Sequence, residues 1–380
     1  MKFHVCDSLT GRIVGRLYPN AWSFTDPLTA PSTGSLTVPL PTDPAAVARL
    51  VELTHPRKRW VAIEDDEGHI IFGGPIPRRP ARSGGEVTIS LIDWRGWFYR
   101  AYLRPHLFSS KVRGYIKTGT GAVDLGVGMT DLMRLAMTSN FSPPLIVVDD
   151  APLAGVVGDI TALTLDRPVG ETLDSITARG KGCEWFTYIA RTEDITMLTP
   201  HVTVCTPERS TRTTPVRVEY RVGVGGNAHE YSWPEGQDAS TRVWALGDGE
   251  PPAQAYAYDE YHEIKTGQDV LWETLIGPLD GVTKNATAFS YASKAIIASR
   301  GFGGEATFSM LDEKVKIGDI ATGDRARIII EDGWDSADVA AARITERTVS
   351  GGRNKATMQS ITVDLTDVAY PNSDIPGVAV

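Results

Sequence analysis

Apolar and polar residues alternate with a period of two along much of the chain. Val87-Thr88-Ile89-Ser90-Leu91 and Val216-Arg217-Val218-Glu219-Tyr220-Arg221-Val222 place apolar groups on one side and polar groups on the other, the mark of a half-buried strand. The same pattern predicts strands from Lys2 to Cys6, Leu36 to Leu40, Trp60 to Glu64, Arg327 to Ile330 and Ile361 to Leu365. The 37 glycines and 24 prolines punctuate the chain often enough for a protein built of many short strands. Helical spacing is confined to short pieces. Asp43 before Pro44 reads as an N-cap and first helical residue, opening a helix over Ala45 to Leu53. Thr130 is placed as the cap of a helix through Met137, and Gly170 to Ala178 carries Leu173 and Ile176 on one side before Gly180. The longest piece, Thr287 to Arg300 before Gly301, brings Phe289, Ala292, Ile296 and Ser299 near one face and is expected to lie against a sheet. These elements predict a mainly β protein of β-rich α+β class.

Two distant stretches share an order of elements. Arg59 to Asp65, a hairpin, Ser83-Gly84-Gly85 and Val87 to Asp93 parallel Arg327 to Asp332, a connection, Ser350-Gly351-Gly352 and Ile361 to Leu365. The same 19 residues separate Glu64 from Ser83 and Glu331 from Ser350. The closing segments lose register, since Ile89 lies 6 past its serine and Ile361 lies 11 past its own. This order predicts a duplicated β unit, giving two similar small β-barrels with smaller elements inserted between them.

At 380 residues the chain has room for two to four compact units. Its 38 basic and 47 acidic residues leave a formal charge of −9, which argues against gripping nucleic acid as the main task. DNA passing by without being held is compatible with that charge. Met1 to Leu17 has no basic stretch leading into an apolar run, and no segment approaches ~20 consecutive apolar residues, so neither a secretory signal nor a membrane helix is expected. Cys6, Cys183 and Cys205 are too few and too scattered for a disulfide scaffold, which points to folding in a reducing cytoplasm.

The residues offer little for catalysis. No Gly-x-Ser-x-Gly elbow occurs, and Cys183, beside Trp185-Phe186-Thr187-Tyr188, reads as packing, as does Cys205. His4, His55, His69, His106, His201, His229 and His262 stand singly, without His-Glu-x-x-His or Cys-x-x-Cys spacing, so no metal is expected. Glu64-Asp65-Asp66-Glu67-Gly68 lacks the alternation of a calcium loop and reads as a solvated turn. Gly223-Val224-Gly225-Gly226-Asn227 is followed by Tyr231-Ser232-Trp233-Pro234 where a phosphate loop needs a helix start, so no nucleotide or other cofactor is expected. Any chain with 47 acids can pair two carboxylates, and such a pair by itself implies no glycosidase. Arg57-Lys58-Arg59 and Arg78-Arg79-Arg82 flank the first hairpin, either as decoration of its ends or as contacts to an acidic neighbour.

Several segments carry a family resemblance. An N-terminal strand leads to Trp22-Ser23-Phe24-Thr25-Asp26-Pro27-Leu28, then Gly34-Ser35-Leu36-Thr37-Val38-Pro39-Leu40-Pro41 and a short helix. Trp60-Val61-Ala62-Ile63, Ile70-Ile71-Phe72-Gly73-Gly74-Pro75-Ile76 and Val87 to Trp94 follow, with Arg100 beyond. This order resembles the opening of siphophage minor tail proteins from phages of actinobacteria. Through them it resembles the baseplate-hub (tail-tip hub) family, which includes the hub of contractile tails and secretion-system spike proteins. Val315-Lys316-Ile317-Gly318-Asp319-Ile320 is similar to the apolar-Gly-Asp turn before that family's last strands. The resemblance implies a homotrimer, each subunit giving two tube-like barrels, so that a three-fold tip can dock on a six-fold tube.

The expected division is a first barrel over 1–103, an inserted α+β domain over 104–205, and a second barrel over 206–246 and 304–367. The remaining pieces are a helix-bearing insert over 247–303 and an extended tail over 368–380. The expected function is structural rather than enzymatic. A trimeric ring at the distal end of the virion tail would join the tail tube and distal tail protein to the tip and close the tube. Implied partners are the tape-measure protein and the fibre or spike proteins. A cell-wall-degrading enzyme, a carbohydrate- or receptor-binding tail protein and the hexameric distal ring are the alternatives. Trp94, Trp97, Tyr99, Arg100 and Tyr102, in the aromatic run 94–102, are candidates for the subunit interface, with core packing as their other reading.

Overall fold

In a computed structural model of the chain, the described residues are 1–103, 115–117, 123–139, 143–151, 157–158, 161–163, 167–179, 183–192, 196–205, 209–210, 213–222, 225–232, 240–260, 271–279, 282–300, 305–311, 316–332, 336–353 and 355–365. The expected C-terminal tail lies outside them. The chain forms two compact units. The first takes Met1–Thr214, Met310–Asp324 and Thr345–Ile361, and the second takes Pro215–Ser309, Arg325–Ile344 and the chain from Thr362.

The first unit opens with β1 (Lys2–Asp7), β2 (Ile13–Leu17), β3 (Ala21–Pro27), β4 (Thr33–Pro39) and α1 (Pro44–Leu53). β5 (Arg59–Glu64), β6 (Ile70–Pro75), β7 (Ala81–Ser83), β8 (Glu86–Ile92) and the one-turn α2 (Arg95–Phe98) follow. One antiparallel sheet has the order β2-β1-β5-β6. A second runs β7-β8-β4-β3, with Glu346–Gly352 of the long strand Ser336–Gly352 antiparallel to β3. Alternation assigns their faces: Trp22, Phe24, Leu36 and Ile89 share a core with Phe3, Val5, Val61 and Ile63.

β5 is apolar without interruption because it is buried on both sides. Val61 and Ile63 enter the core just described, while Trp60 and Ala62 join Cys6 in another. That other core is completed by α3 (Leu125–Ser139), α4 (Val169–Arg179) and the antiparallel pair Glu184–Arg191 and Leu198–Cys205. Residues read from sequence as an inserted domain therefore share a core with the first sheet. α3 also starts earlier than expected. Asp124 Oδ1 accepts from the Gly126 amide at 3.0 Å, and Thr130 lies inside the helix, donating its hydroxyl to Gly126 O at 3.0 Å. Two glycines at positions 126 and 128 hide the helical start in the sequence, and tertiary burial overrides their weak propensity.

α1 begins where the sequence places it, with Asp43 Oδ2 accepting from the Ala46 amide at 2.8 Å and Leu50 and Leu53 buried. Asp43→Ala removes that cap and is expected to lower unfolding free energy by about 1 kcal/mol, read as a shifted urea midpoint at unchanged slope.

The two look-alike stretches are not structurally equivalent. β5 and β6 belong to one sheet and β7 and β8 to the other, whereas Arg325–Glu331, Ser336–Gly352 and Lys355–Asp364 are neighbours in one sheet. Ser83-Gly84-Gly85 makes the expected hairpin turn, with φ +57° at Gly84 and +83° at Gly85, values that favour glycine. Ser350-Gly351-Gly352 is extended and pairs with Ser23, Trp22 and Ala21, and the chain turns instead at Arg353, φ +52°. Equal sequence intervals conceal two different local structures.

In the second unit Val216–Arg221 runs parallel to Arg325–Glu331, which pairs antiparallel with Ser336–Arg343. A three-stranded sheet has Arg242–Leu246 between Tyr256–Glu260 and Glu273–Ile276. The helix Asn285–Arg300 lies on it, as the sequence leads one to expect, with Ala288 and Ala292 packed against Ala245 and Val282. The buried stripe is Ala288, Ala292 and Ile296; Phe289, assigned to that face from sequence, is 48% exposed.

Candidate functional site

The aromatic run 94–102 divides between core and surface. Trp94 is 1% exposed and meets Trp60 edge-to-face at 5.7 Å. Its place is in the interior, which removes it from the candidate interface. Tyr99 stacks on Trp185 at 6.2 Å and donates its hydroxyl to Asp174, so its contacts are also within the chain. Trp97 is half-buried, and Arg100 and Tyr102 are exposed. α2 produces this split, since a single helical turn sends Phe98 inward and leaves Trp97 beside the surface.

Trp97, Ile92 and Arg100 line a small apolar pocket of about 270 Å³, closed on its other side by Leu9 and Pro144. This pocket shares the lining residues Arg57, Pro77 and Arg100 with a larger groove of about 790 Å³, so the two adjoin. The groove floor is aliphatic, from Leu40, Val47, Leu50, Val51 and Val87, and its rim carries Arg57, Arg78, Arg79, Arg82 and Arg100. Among the described residues no acidic side chain lines it. Arg78 reaches Ser90 Oγ at 3.1 Å, and all five arginines are exposed. Among the described residues none of the five makes an ion pair, in contrast to neighbouring Arg59, held by Asp7 at 2.5 Å.

In the second unit the helix covers one face of the three-stranded sheet, and no described element covers the other. Tyr256 (56% exposed), Tyr258 (43%) and Leu275 (60%) stand on that open face around half-buried Trp244, and Trp272 (66%) lies at its border. Trp244 packs on Tyr258 at 4.6 Å, and the Arg242 guanidinium sits 5.2 Å from the same ring. Scattered exposed apolar residues are ordinary, but a clustered aromatic face with an arginine is the composition of a binding surface.

Two charged clusters lie inside the first unit. Asp26, on the inward face of β3, accepts from Ser32 Oγ at 2.7 Å and from Arg209 Nη2 at 3.1 Å. Burial would raise its pKa, but the charges of Arg209 and Arg347 hold the carboxyl below its usual range. Arg347 donates to the carbonyls of Ile317 and Ile320, in the turn that contains Ile317-Gly318-Asp319. Asp93 nearby is pushed up to about 6 by burial. Glu64 also differs from its sequence reading. The sequence groups it with a solvated turn, yet both it and Asp65 are buried, with only the following residues turning through solvent.

The remaining candidates for chemistry are dispersed. Cys6, Cys183 and Cys205 are free thiols, and burial pushes Cys6 up to about 12 and Cys205 to about 11. His201 pairs with Asp149 at 2.8 Å, and His4 with Glu64 at 2.8 Å. Among the described residues no three His, Cys, Asp or Glu side chains converge as metal ligands, and no helix is long and apolar enough to cross a membrane.

No family model and no curated protein matches the sequence. Solved structures do share its fold. The tail protein from Neisseria meningitidis aligns over 98% of this chain and 100% of its own, at 13% identity and a TM-score of 0.58. The 43 kDa tail protein of prophage MuSo2 from Shewanella oneidensis aligns over 97% and 100%, at 12% identity and a TM-score of 0.56. A chain of the Francisella PdpA–VgrG complex aligns over 97% of this chain and 58% of its own, at 9% identity and a TM-score of 0.53. The chain is thus structurally similar to phage tail proteins and to a secretion-system spike complex, the likeness its sequence suggested.

Proposed function

We propose that this chain is a structural protein of a phage tail, a hub at the distal end of the tube. Three copies close into a ring that joins the six-fold tube and distal tail protein to a three-fold tip. The observation that carries this reading is the end-to-end match to the Neisseria tail protein, 98% of one chain against 100% of the other. The role is then one of surface complementarity, with the tape-measure protein and tip fibres or spike as further neighbours.

The open aromatic face around Trp244 supplies the strongest apolar contact for such a ring, and exposed Tyr102 a second. Aromatic and arginine side chains dominate binding energy where they become fully desolvated. The test is to count copies by electron microscopy in virions of the encoding phage, and to add Trp272→Glu with Leu275→Glu. Three copies per tail are expected, and the double variant, altered at exposed positions, is expected to stay folded yet fail to join the ring. Six copies would point to the distal ring instead. Release of sugars or peptides from cell wall by the purified chain would favour the enzyme.

A further inference from the structure

We infer that the arginine-rimmed groove of the first unit is a docking site for an acidic segment of a partner protein. The segment would carry one large apolar side chain beside its carboxylates. Five exposed arginines surround the groove, and among the described residues no acid lines it and none of the five is ion-paired. The concentration stands out in a chain of net charge −9, because like charges gathered without counter-ions repel one another. Of the acids close by in sequence, Asp43 caps α1 and Glu52 pairs with Arg49 at 2.5 Å and Arg59 at 3.7 Å, while Glu86, opposite Ser83 in the β7–β8 hairpin, does not line the groove.

The floor and the adjoining pocket define the rest of the ligand. Leu50 and Val51 give the groove an aliphatic base, and the pocket beside Trp97 has room for a side chain of leucine or phenylalanine size. Guanidinium groups bind carboxylates through two parallel hydrogen bonds, so a run of Glu or Asp fits the rim. A nucleic-acid strand fits less well, because among the described residues the groove offers bases only His55 to stack on, with Trp94 and Trp97 confined to the small adjoining pocket.

Backbone geometry adds an independent sign. Arg57 has φ +65°, in the left-handed region, and its amide is fixed to Ile76 O at 3.0 Å. A non-glycine residue held there carries strain of order 1 kcal/mol, and such strain gathers at binding sites. Glycine would relieve it, yet the chain places an arginine at the meeting point of groove and pocket.

The site goes beyond the hub reading, since it needs no particular stoichiometry, and it is tested on the isolated full-length chain. The probe is a fluorescent synthetic peptide with a leucine followed by alternating Glu and Asp, titrated by anisotropy. Comparators are the same peptide with Gln and Asn for its acids, and single-stranded and duplex DNA. Saturable binding of the acidic peptide is expected, weakening at least about tenfold as salt rises from about 0.05 to 0.5 M. Arg79→Glu with Arg82→Glu is expected to abolish it without moving the thermal midpoint, both sites being exposed and unpaired. Arg57→Gly should weaken it several-fold while the fold is kept. Absence of saturable binding, equal binding by the charge-reversed variant or the uncharged peptide, or tighter binding of DNA would each overturn the inference. Such a failure leaves the hub reading standing, because copy number in the virion decides that separately.

Discussion

Asp26→Ala is expected to cost about 3–5 kcal/mol of unfolding free energy, the range for a buried charge pair broken on one side. Arg347 is 5% exposed and Arg209 is 9% exposed, so neither can swing into solvent without disturbing β3 and the turn at Ile317–Asp319. The guanidinium of Arg347 lies 5.3 Å from the Phe24 ring, and that of Arg209 lies 4.7 Å from Phe186. These contacts orient the two cations but do not neutralise them. Without Asp26, Asp324 is the other carboxylate whose charge reaches Arg347. Because the Asp26 carboxyl is held below its usual range in the fold, its contribution is complete at both pH 5 and pH 8, and the loss should be about equal at the two. Replacing all three members of the network by apolar residues of similar size should recover much of the loss. Urea unfolding at the two pH values reads all of this. A loss below about 1 kcal/mol at both would mean that the cluster is solvated and its charges are uncoupled.

Sequence patterning anticipates much of this architecture. Period-two alternation located β1, β4, β5 and β8, and the Asp43-Pro44 pair located the start of α1. Even the buried ions left a trace. Trp22, Phe24 and Asp26 fall on one face of β3, and Trp60, Ala62 and Glu64 fall on one face of β5. A charged residue at an inward position of an alternating strand signals a buried ion whose partner comes from elsewhere. Its partners could not be read, because Arg209 and Arg347 lie 183 and 321 residues from Asp26 in the chain and meet it only in the fold. The same holds for the surfaces. The basic clusters that hold Arg57 and Arg79, and the interface candidate Arg100, are each visible in the sequence, but only the fold gathers them around one groove. The aromatic face needs Arg242–Leu246 to lie parallel to Glu273–Ile276, opposing Trp244 to Leu275. The segment 94–102, dense in aromatics, suggested an interface from composition alone. Composition could not tell inward Trp94 from half-buried Trp97, a distinction set by where α2 begins.

Glu64→Gln should remove a stabilisation that is present at neutral pH and vanishes in acid. Glu64 ends β5 opposite Lys2 of β1, and its Oε1 accepts from Lys2 Nζ at 2.5 Å. Its Oε2 accepts from His4 Nε2 at 2.8 Å and from Arg191. Burial alone would raise the pKa, but hydrogen bonds from Lys2 and His4 and the charge of Arg191 hold it at about 2, against an ordinary 4.5. Since the folded-state value lies below the unfolded one, the contribution is complete above pH 4.5 and is lost as pH falls through about 2. Its size is at most about 3 kcal/mol, from roughly 1.4 kcal/mol per pH unit of displacement. Glutamine keeps the shape and one acceptor, so the difference between wild type and variant isolates the charge. That difference should hold or grow from pH 7 to 4.5, because His4 loses the partner that raises its pKa only in the variant, and shrink towards zero near pH 2. His4 works in the same direction: burial lowers its pKa, so protonating it in acid also disfavours the fold. Asp93 works in the opposite direction, its raised value penalising the fold as pH climbs through 6. The wild-type curve mixes all three, and only the paired difference assigns the acid limb to Glu64. A difference that stays constant down to pH 2 would show that the Glu64 carboxylate contributes packing rather than charge.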